Sequence, residues 1–494
     1  MSHKIFKPFL GAVLTVLVVL TVIGLSMTVK VQAEEESVFT LELLGEVQTP
    51  DGIRAIEVRD AVPNEIVFAT RDTPNGPGRV WKMTLDPVTG AVVSILSKQV
   101  LYGIGSVSHV IFERSDETLF TGSGWLGFNP PYYSTDGGET WQTAGGGSIG
   151  GSYSTYIYAE FNGNIYAGTG YWGYHGKLHR WLGSGNWTQV FDYPPPRSTL
   201  GALAVHDGKL FLTAGIYWPN NSGWESSVPV YATSDGISYT PTTGIPPYNQ
   251  IPYFFIVNGD LLAWGYSVLD ASHRTVFRCN GLEWEELGPL TIGWVRPYRT
   301  AITDGRAIYE SGKAPGDLLN GVCRSLDGGL TWEQIAVLDN PIALAFCVHK
   351  NVLYVGTNTS GNKAYIYRIK LLIEAAVDID PGNLNLKNKG KWMTCHIELP
   401  TGYSAGDIDT GTVAVVKIGG NPIEPLYREG PVCLGDYDGD SIPDLMVKFD
   451  RQELIALIEG MGAENGETFD LTVSGQLIGG EPFQGNAAIK VISK

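Results

Sequence analysis

One phrase is spelled seven times in this chain, and it dictates a repeating fold. A turn residue leads into an apolar strand that ends on a small or polar side chain, and a polar or aromatic loop and a second strand follow. The copies begin at Asn64, Glu117, Gly163, Gly208, Gly259, Gly305 and Asn351, and are 45 to 53 residues apart. Asn164-Ile165-Tyr166-Ala167-Gly168 and Asn351-Val352-Leu353-Tyr354-Val355-Gly356 show the pattern well. A unit of that length matches a four-stranded propeller blade, which buries its faces only against neighbouring blades. The spacing therefore predicts an all-β chain: a seven-bladed β-propeller over 34–373, followed by a smaller C-terminal module over 374–494. The 62 glycines and 24 tyrosines fit many tight turns and many aromatic strands. The seventh copy runs out after three strands. Val38–Val47 has no earlier strand to join, so it is expected to complete the last blade and remove an open edge.

Two turns in the repeat have the form Ser-x-Asp-x-Gly-x-Thr-Trp: Ser134 to Trp141 and Ser325 to Trp332. Degenerate versions lie in register at Thr233 to Tyr239, Gly183 to Trp187 and Asn280 to Trp284. These residues resemble the Asp-box (BNR-repeat) propeller superfamily, over about 340 residues. In that family the turn joins the third and fourth strands of a blade, on the face opposite the usual ligand site. The resemblance thus implies a structural role for Asp136 and Asp327. The Asp accepts backbone N–H bonds, Gly takes a positive φ, and Trp packs beneath.

The repeat also places the loops of the opposite face. Trp125, Trp172, Tyr174, Trp218 and Trp224 fall between second and third strands, and Trp294 and Tyr298 between blades. Aromatic side chains in Gly-, Pro- and Asn-rich loops suit stacking on the C–H faces of sugars, and equally suit packing against each other. Sialidases are Asp-box enzymes, but the early Arg-Ile-Pro motif of that group is missing, and no sialidase role carries over to any residue here. A glycoside hydrolase needs two converging carboxylates. Asp72, Glu225, Glu310 and Asp317 are read as lying on different loops, and the sequence does not reveal whether they converge. The expected function is a non-catalytic binding or scaffold protein that recognises a glycan or a surface protein. A glycoside hydrolase or lyase of the same propeller class is the alternative.

After Ile369 the repeat stops. Strands alternate through the rest of the chain, and Asp450-Arg451-Gln452-Glu453 opens one short helix that ends at Gly460, giving a β-sandwich-like module. Its acidic loop, Asp436-Tyr437-Asp438-Gly439-Asp440-Ser441-Ile442-Pro443-Asp444, supplies carboxylates from Asp436, Asp438, Asp440 and Asp444 and a carbonyl from Ile442. Hard Ca²⁺ prefers such an oxygen shell. The loop resembles the Asp-x-Asp-x-Asp loops of dockerin- and integrin-type calcium sites in tail modules of secreted prokaryotic proteins. It departs from a full EF-hand by having Ser441 where Gly is usual, and Val447 in place of the final Glu.

Residues 1–33 read as a signal peptide or an N-terminal membrane anchor. Lys4 and Lys7 precede an apolar run from Phe9 to Val29, and Val31-Gln32-Ala33 resembles a cleavage site. An extracellular or cell-surface location follows. The formal charge of −17 disfavours nucleic acid as a partner. Any membrane contact would come through an uncleaved leader. Five cysteines at no metal-like spacing leave Cys395–Cys433 as one candidate bridge and the others as thiols.

Overall fold

The computed structural model describes residues 39–493 except 73–76, 88, 102–109, 123–129, 146–148, 150–153, 172–173, 194–198, 216–228, 247–248, 268–273, 292–300, 313–320, 339–341, 350 and 401–402. Among the described residues there is one α-helix, and the remaining regular structure is almost entirely strand. No described helix is long and apolar enough to cross a membrane.

Seven sheets of four antiparallel strands follow one another along the chain. Sheets 1 to 6 span residues 53–101, 111–143, 154–192, 199–241, 249–289 and 302–337. Sheet 7 takes three strands from 343–370 and its fourth from Thr40–Gln48, which pairs antiparallel with Lys363–Lys370. The expected closing strand is therefore present. Arg368 grips Glu42 with two hydrogen bonds of 2.6 and 2.9 Å, and Lys363 reaches Glu46 at 2.8 Å.

The repeated phrase is the second strand of each sheet. Glu65–Arg71 and Val352–Thr357 are buried along nearly their whole length because neighbouring sheets cover both of their faces. The outer strands are half-exposed, as in Val92–Leu101. The small residue near the end of the phrase marks where the next sheet crosses. A Cβ on Gly168 would lie 2.6 Å from Leu200 Cδ2 of sheet 4, and one on Gly356 would lie 2.5 Å from Ile53 Cγ2 of sheet 1. The first two strands of three sheets are joined by two-residue turns at Asn162-Gly163, Asp207-Gly208 and Asn258-Gly259. All six residues have φ between 46° and 84°, as the twist of a tight hairpin requires.

Each junction between sheets holds its own apolar cluster. Val67 and Val80 meet Ile111 and Trp141 between sheets 1 and 2, and Phe120 meets Tyr158 between sheets 2 and 3. The series runs on to sheet 7. It then returns to the start, where Ile53, Ile56 and Phe68 pack with Ala345, Tyr354 and Ile366. This circular succession of sheets is the arrangement of a β-propeller.

The segment after Leu371 forms two further sheets. A six-stranded one contains Thr468–Leu477 and Pro482–Ile492, and a four-stranded one runs in the order Ala376–Asp380, Trp392–Glu398, Asp444–Asp450, Glu429–Gly435. They share one core, in which Met393, Val447 and Phe449 meet Val415, Val473 and Ile489, with Leu454 and Ile458 of the helix alongside. The helix Arg451–Gly460 starts where the sequence placed it, with Asp450 accepting from the Gln452 and Glu453 N–H groups at 2.8 and 3.1 Å.

The Cys395–Cys433 bridge does not form. Both thiols are free. Cys395 pairs with Val447 on one face of the four-stranded sheet, and Cys433 pairs with Met446 on the other, so an entire strand lies between them. Two strand spacings of about 4.8 Å exceed the reach of a disulfide.

Candidate functional site

Two places concentrate polar chemistry. The first is the acidic loop between Glu429–Gly435 and Asp444–Asp450. Gly435 and Asp444 pair directly, so the loop closes tightly. Its carboxylates organise the backbone. Asp436 accepts from Gly439 N at 2.7 Å and Ser441 N at 3.1 Å. Asp444 accepts from Tyr437 N, and Asp440 from Ile442 N, both at 2.7 Å. Ser441 sits at φ +75°, the left-handed conformation that Gly would adopt at no steric cost.

Carboxylate oxygens of Asp436, Asp438 and Asp444 lie within 4.8 Å of one another. A second trio shares Asp438: Glu398, Asp438 and Asp440, with the same spacing. Glu398 was not picked out in the sequence, 38 residues before the loop. It ends the strand Trp392–Glu398, whose Ile397 pairs with Leu445 next to Asp444. Burial raises the Glu398 carboxyl pKa, and the charges of Asp440, Asp438, Asp444 and Asp436 raise it further. Tyr437 anchors the loop by stacking on His396, with ring centroids 3.6 Å apart and planes 18° apart.

The second place is the axis of the ring. A cavity of about 230 Å³ is lined by the first strand of every one of the seven sheets, with Ala55, Ile111, Ile157, Ala202, Phe255, Ile302 and Ala345 among the lining residues. These strands have a strand partner on one side only. Near the end where first strands turn into second strands, which we call the turn rim, Glu57 joins the wall. Burial raises its carboxyl pKa from 4.5 to about 8, with Asp60 and Glu113 adding repulsion and a hydrogen bond to Cys347 opposing them. Cys347 Sγ in turn accepts from Val58 N at 3.4 Å, so the pair bridges sheets 1 and 7. The nearby Arg59 guanidinium is committed elsewhere. Arg59 pairs with Glu65 at 3.0 Å and with Glu113 and Glu117 at 3.3 Å, and His349 Nδ1 lies 3.2 Å from Asp60.

The turn rim also carries the Ser-x-Asp-x-Gly turns, between third and fourth strands as expected. Ser134 donates to Asp136 at 2.7 Å, Asp136 accepts from Thr140 N at 2.9 Å, and Trp141 Nε1 donates to Gly138 O at 3.1 Å. The Ser325–Trp332 turn repeats these bonds at 2.8, 2.8 and 2.9 Å. Burial works against ionisation of Asp136, but the bonds from Thr140 and Ser134 prevail and hold it below the usual carboxylate range. Both aspartates are fully occupied in shaping their turns. In the degenerate copies the tryptophan reaches back to the preceding sheet, Trp187 to Ala144 O and Trp284 to Thr242 Oγ1, both at 3.0 Å.

Of the aromatic residues expected on the opposite rim, Trp125, Trp172, Trp218, Trp224, Trp294 and Tyr298 lie outside the described residues. Tyr174 opens the strand Tyr174–Gly183, and its side chain lies outside the description. Tyr253, in the first strand of sheet 5, is buried and stacks on Phe255 at 5.8 Å.

No protein-family profile matches the sequence, and no curated protein does. Solved structures give distant resemblances. YCF48 bound to a D1 peptide is 14% identical over 68% of this chain and 96% of that one, with a TM-score of 0.44. The extracellular domain of the hybrid two-component system BT4673 of B. thetaiotaomicron is 11% identical over 92% of this chain and 59% of that one, with a TM-score of 0.45. The GH74 enzyme of Niastella koreensis is 15% identical over 71% of this chain and 57% of that one, with a TM-score of 0.38. At these levels the fold reading rests on the sheet order and junction cores of this chain.

Proposed function

We propose that this chain is a secreted or surface-tethered binding or scaffold protein, built on a seven-bladed propeller of the Asp-box type and a C-terminal β-sandwich that holds Ca²⁺. The observation that carries the binding reading is the wall of the axial cavity, to which all seven first strands contribute. In such a ring, every link from second to third strand and from sheet to sheet departs from the rim opposite the turns. The sequence puts Trp125, Trp172, Tyr174, Trp218, Trp224, Trp294 and Tyr298 in those links. Aromatic groups on a shared rim suit a glycan or a surface protein. A glycan array and a surface-protein capture assay, run beside reporter glycosides, test this. Binding that is lost in Trp172→Ala with Trp218→Ala is the expected result. Binding unchanged in that double variant, or turnover of a reporter glycoside, refutes it.

Ca²⁺ would be held by Asp436, Asp438, Asp440, Asp444 and the Ile442 carbonyl, with Glu398 as a further oxygen ligand. The donor set is all oxygen, and among the described residues no Lys or Arg is paired with these carboxylates. The cation would offset their mutual repulsion and pin the loop. Calorimetry on chelator-treated full chain should show uptake of CaCl₂ that disappears in Asp438→Ala with Asp440→Ala. Uptake that survives in this variant, or no uptake by the unaltered chain, excludes the site.

A further inference from the structure

We propose that the axial cavity binds a small organic ammonium ion, seated against Glu57 and admitted from the turn rim, away from the aromatic links. The case starts with the wall. The seven first strands each lack a strand partner on one side, and their flanking side chains, among them Ala55, Ala202 and Ile302, are apolar. Backbone carbonyls on such an edge can accept from N–H donors, while the hydrocarbon parts take an apolar body. Tyr253, Phe255 and Phe346 also border the cavity, and aromatic rings favour cations.

Charge selects the ligand. Among the described residues, Glu57 is the one carboxylate in the cavity wall, and no Lys, Arg or His lines it. The charged groups that act on it, Asp60 and Glu113, are both acidic, and its hydrogen-bonding side chain is the Cys347 thiol. Arg59 is engaged by Glu65, Glu113 and Glu117 rather than by Glu57. An anion seated in the cavity would meet the Glu57 carboxylate. A divalent metal would find one carboxylate where it requires a shell of oxygens. An ammonium on a hydrocarbon body satisfies both the carboxylate and the apolar wall. The volume of about 230 Å³ limits it to a small molecule, roughly ten non-hydrogen atoms. Asp60, 85% exposed, lies at the turn rim beside the Glu57 end of the cavity.

The test is calorimetry on the full chain at a pH above 8. Methylammonium, phenethylammonium and benzyltrimethylammonium are compared with benzyl alcohol as the neutral probe and benzoate as the anion. At least one ammonium should bind one-to-one, with benzoate silent and benzyl alcohol weaker by about tenfold or more. Glu57→Gln should weaken the ammonium by a similar factor. Ala202→Phe, which fills the cavity from another sheet, should abolish it while the circular dichroism spectrum is retained. The proposal is overturned if no ammonium binds at about 10 mM. It is also overturned if alcohol or benzoate binds as tightly, or if affinity is unchanged in both variants.

Discussion

Replacing Glu57 by Gln should make the protein more stable, and by an amount that grows with pH. The folded state holds this carboxyl protonated up to about pH 8, because burial and the neighbouring Asp60 and Glu113 oppose its charge. The unfolded chain releases the same proton near the ordinary value of 4.5. Below that value both states are protonated and Glu57 adds no pH dependence. Between about 4.5 and 8 the folded state binds one proton more than the unfolded state, so stability falls as pH rises. A rise of that size corresponds to about 5 kcal/mol. The figure is a ceiling, since the carboxyl borders a cavity and keeps some contact with water. Urea unfolding of both proteins at pH 5 and pH 9 measures the effect. Taking the difference between variant and parent at each pH cancels every other titration. The gain in Glu57→Gln should be small at pH 5 and larger by up to about 5 kcal/mol at pH 9. A gain equal at both pH values would show that Glu57 titrates normally, and the picture of an uncompensated acid on the axis would fall with it.

Three other perturbations follow from the packing. Arg368→Ala removes both bonds to Glu42 and should cost about 1–3 kcal/mol, with hydrogen exchange rising first in Thr40–Gln48. Gly356→Val drives a side chain into Ile53, 2.5 Å from the Cβ position, and should cost about 1–3 kcal/mol by thermal melting. Ser441→Gly relieves the left-handed strain at φ +75° and should stabilise the metal-free loop by about 1 kcal/mol, seen as slower exchange of the Ser441 amide's neighbours.

Much of this architecture was legible in the sequence because one element of each sheet is almost wholly buried. The second strands cannot vary freely, since two neighbouring sheets press on them, so Leu-Phe-Leu-Thr at 210–213 and Leu-Leu-Ala-Trp at 261–264 look alike. Outer strands such as Gln142–Thr143 are two exposed residues and leave no signature. The acidic loop was legible because its four aspartates fall within nine consecutive residues. Glu398 was not, because it reaches the loop across a strand pairing that no local spacing encodes. Glu57 was hidden for a related reason. In Ile53-Arg54-Ala55-Ile56-Glu57-Val58 it looks like the solvent-facing member of an edge strand, and only the closing of the ring turns that edge inward. The bridge expected between Cys395 and Cys433 failed on register, which decides the face of a strand and is invisible in a list of positions.

The partners Glu46 and Lys363 are 317 residues apart, and this has a consequence for how the chain is made. At typical synthesis rates, roughly 15–65 s pass between the appearance of the first and the second. Throughout that interval the opening strand has no mate and the newest sheet presents a bare margin. Closure of the ring therefore waits until the strand Lys363–Lys370 has been made, long after the first sheets. Until then sheets 1 to 6 can pair and pack in turn, and only the seam between the last sheet and the first stays open.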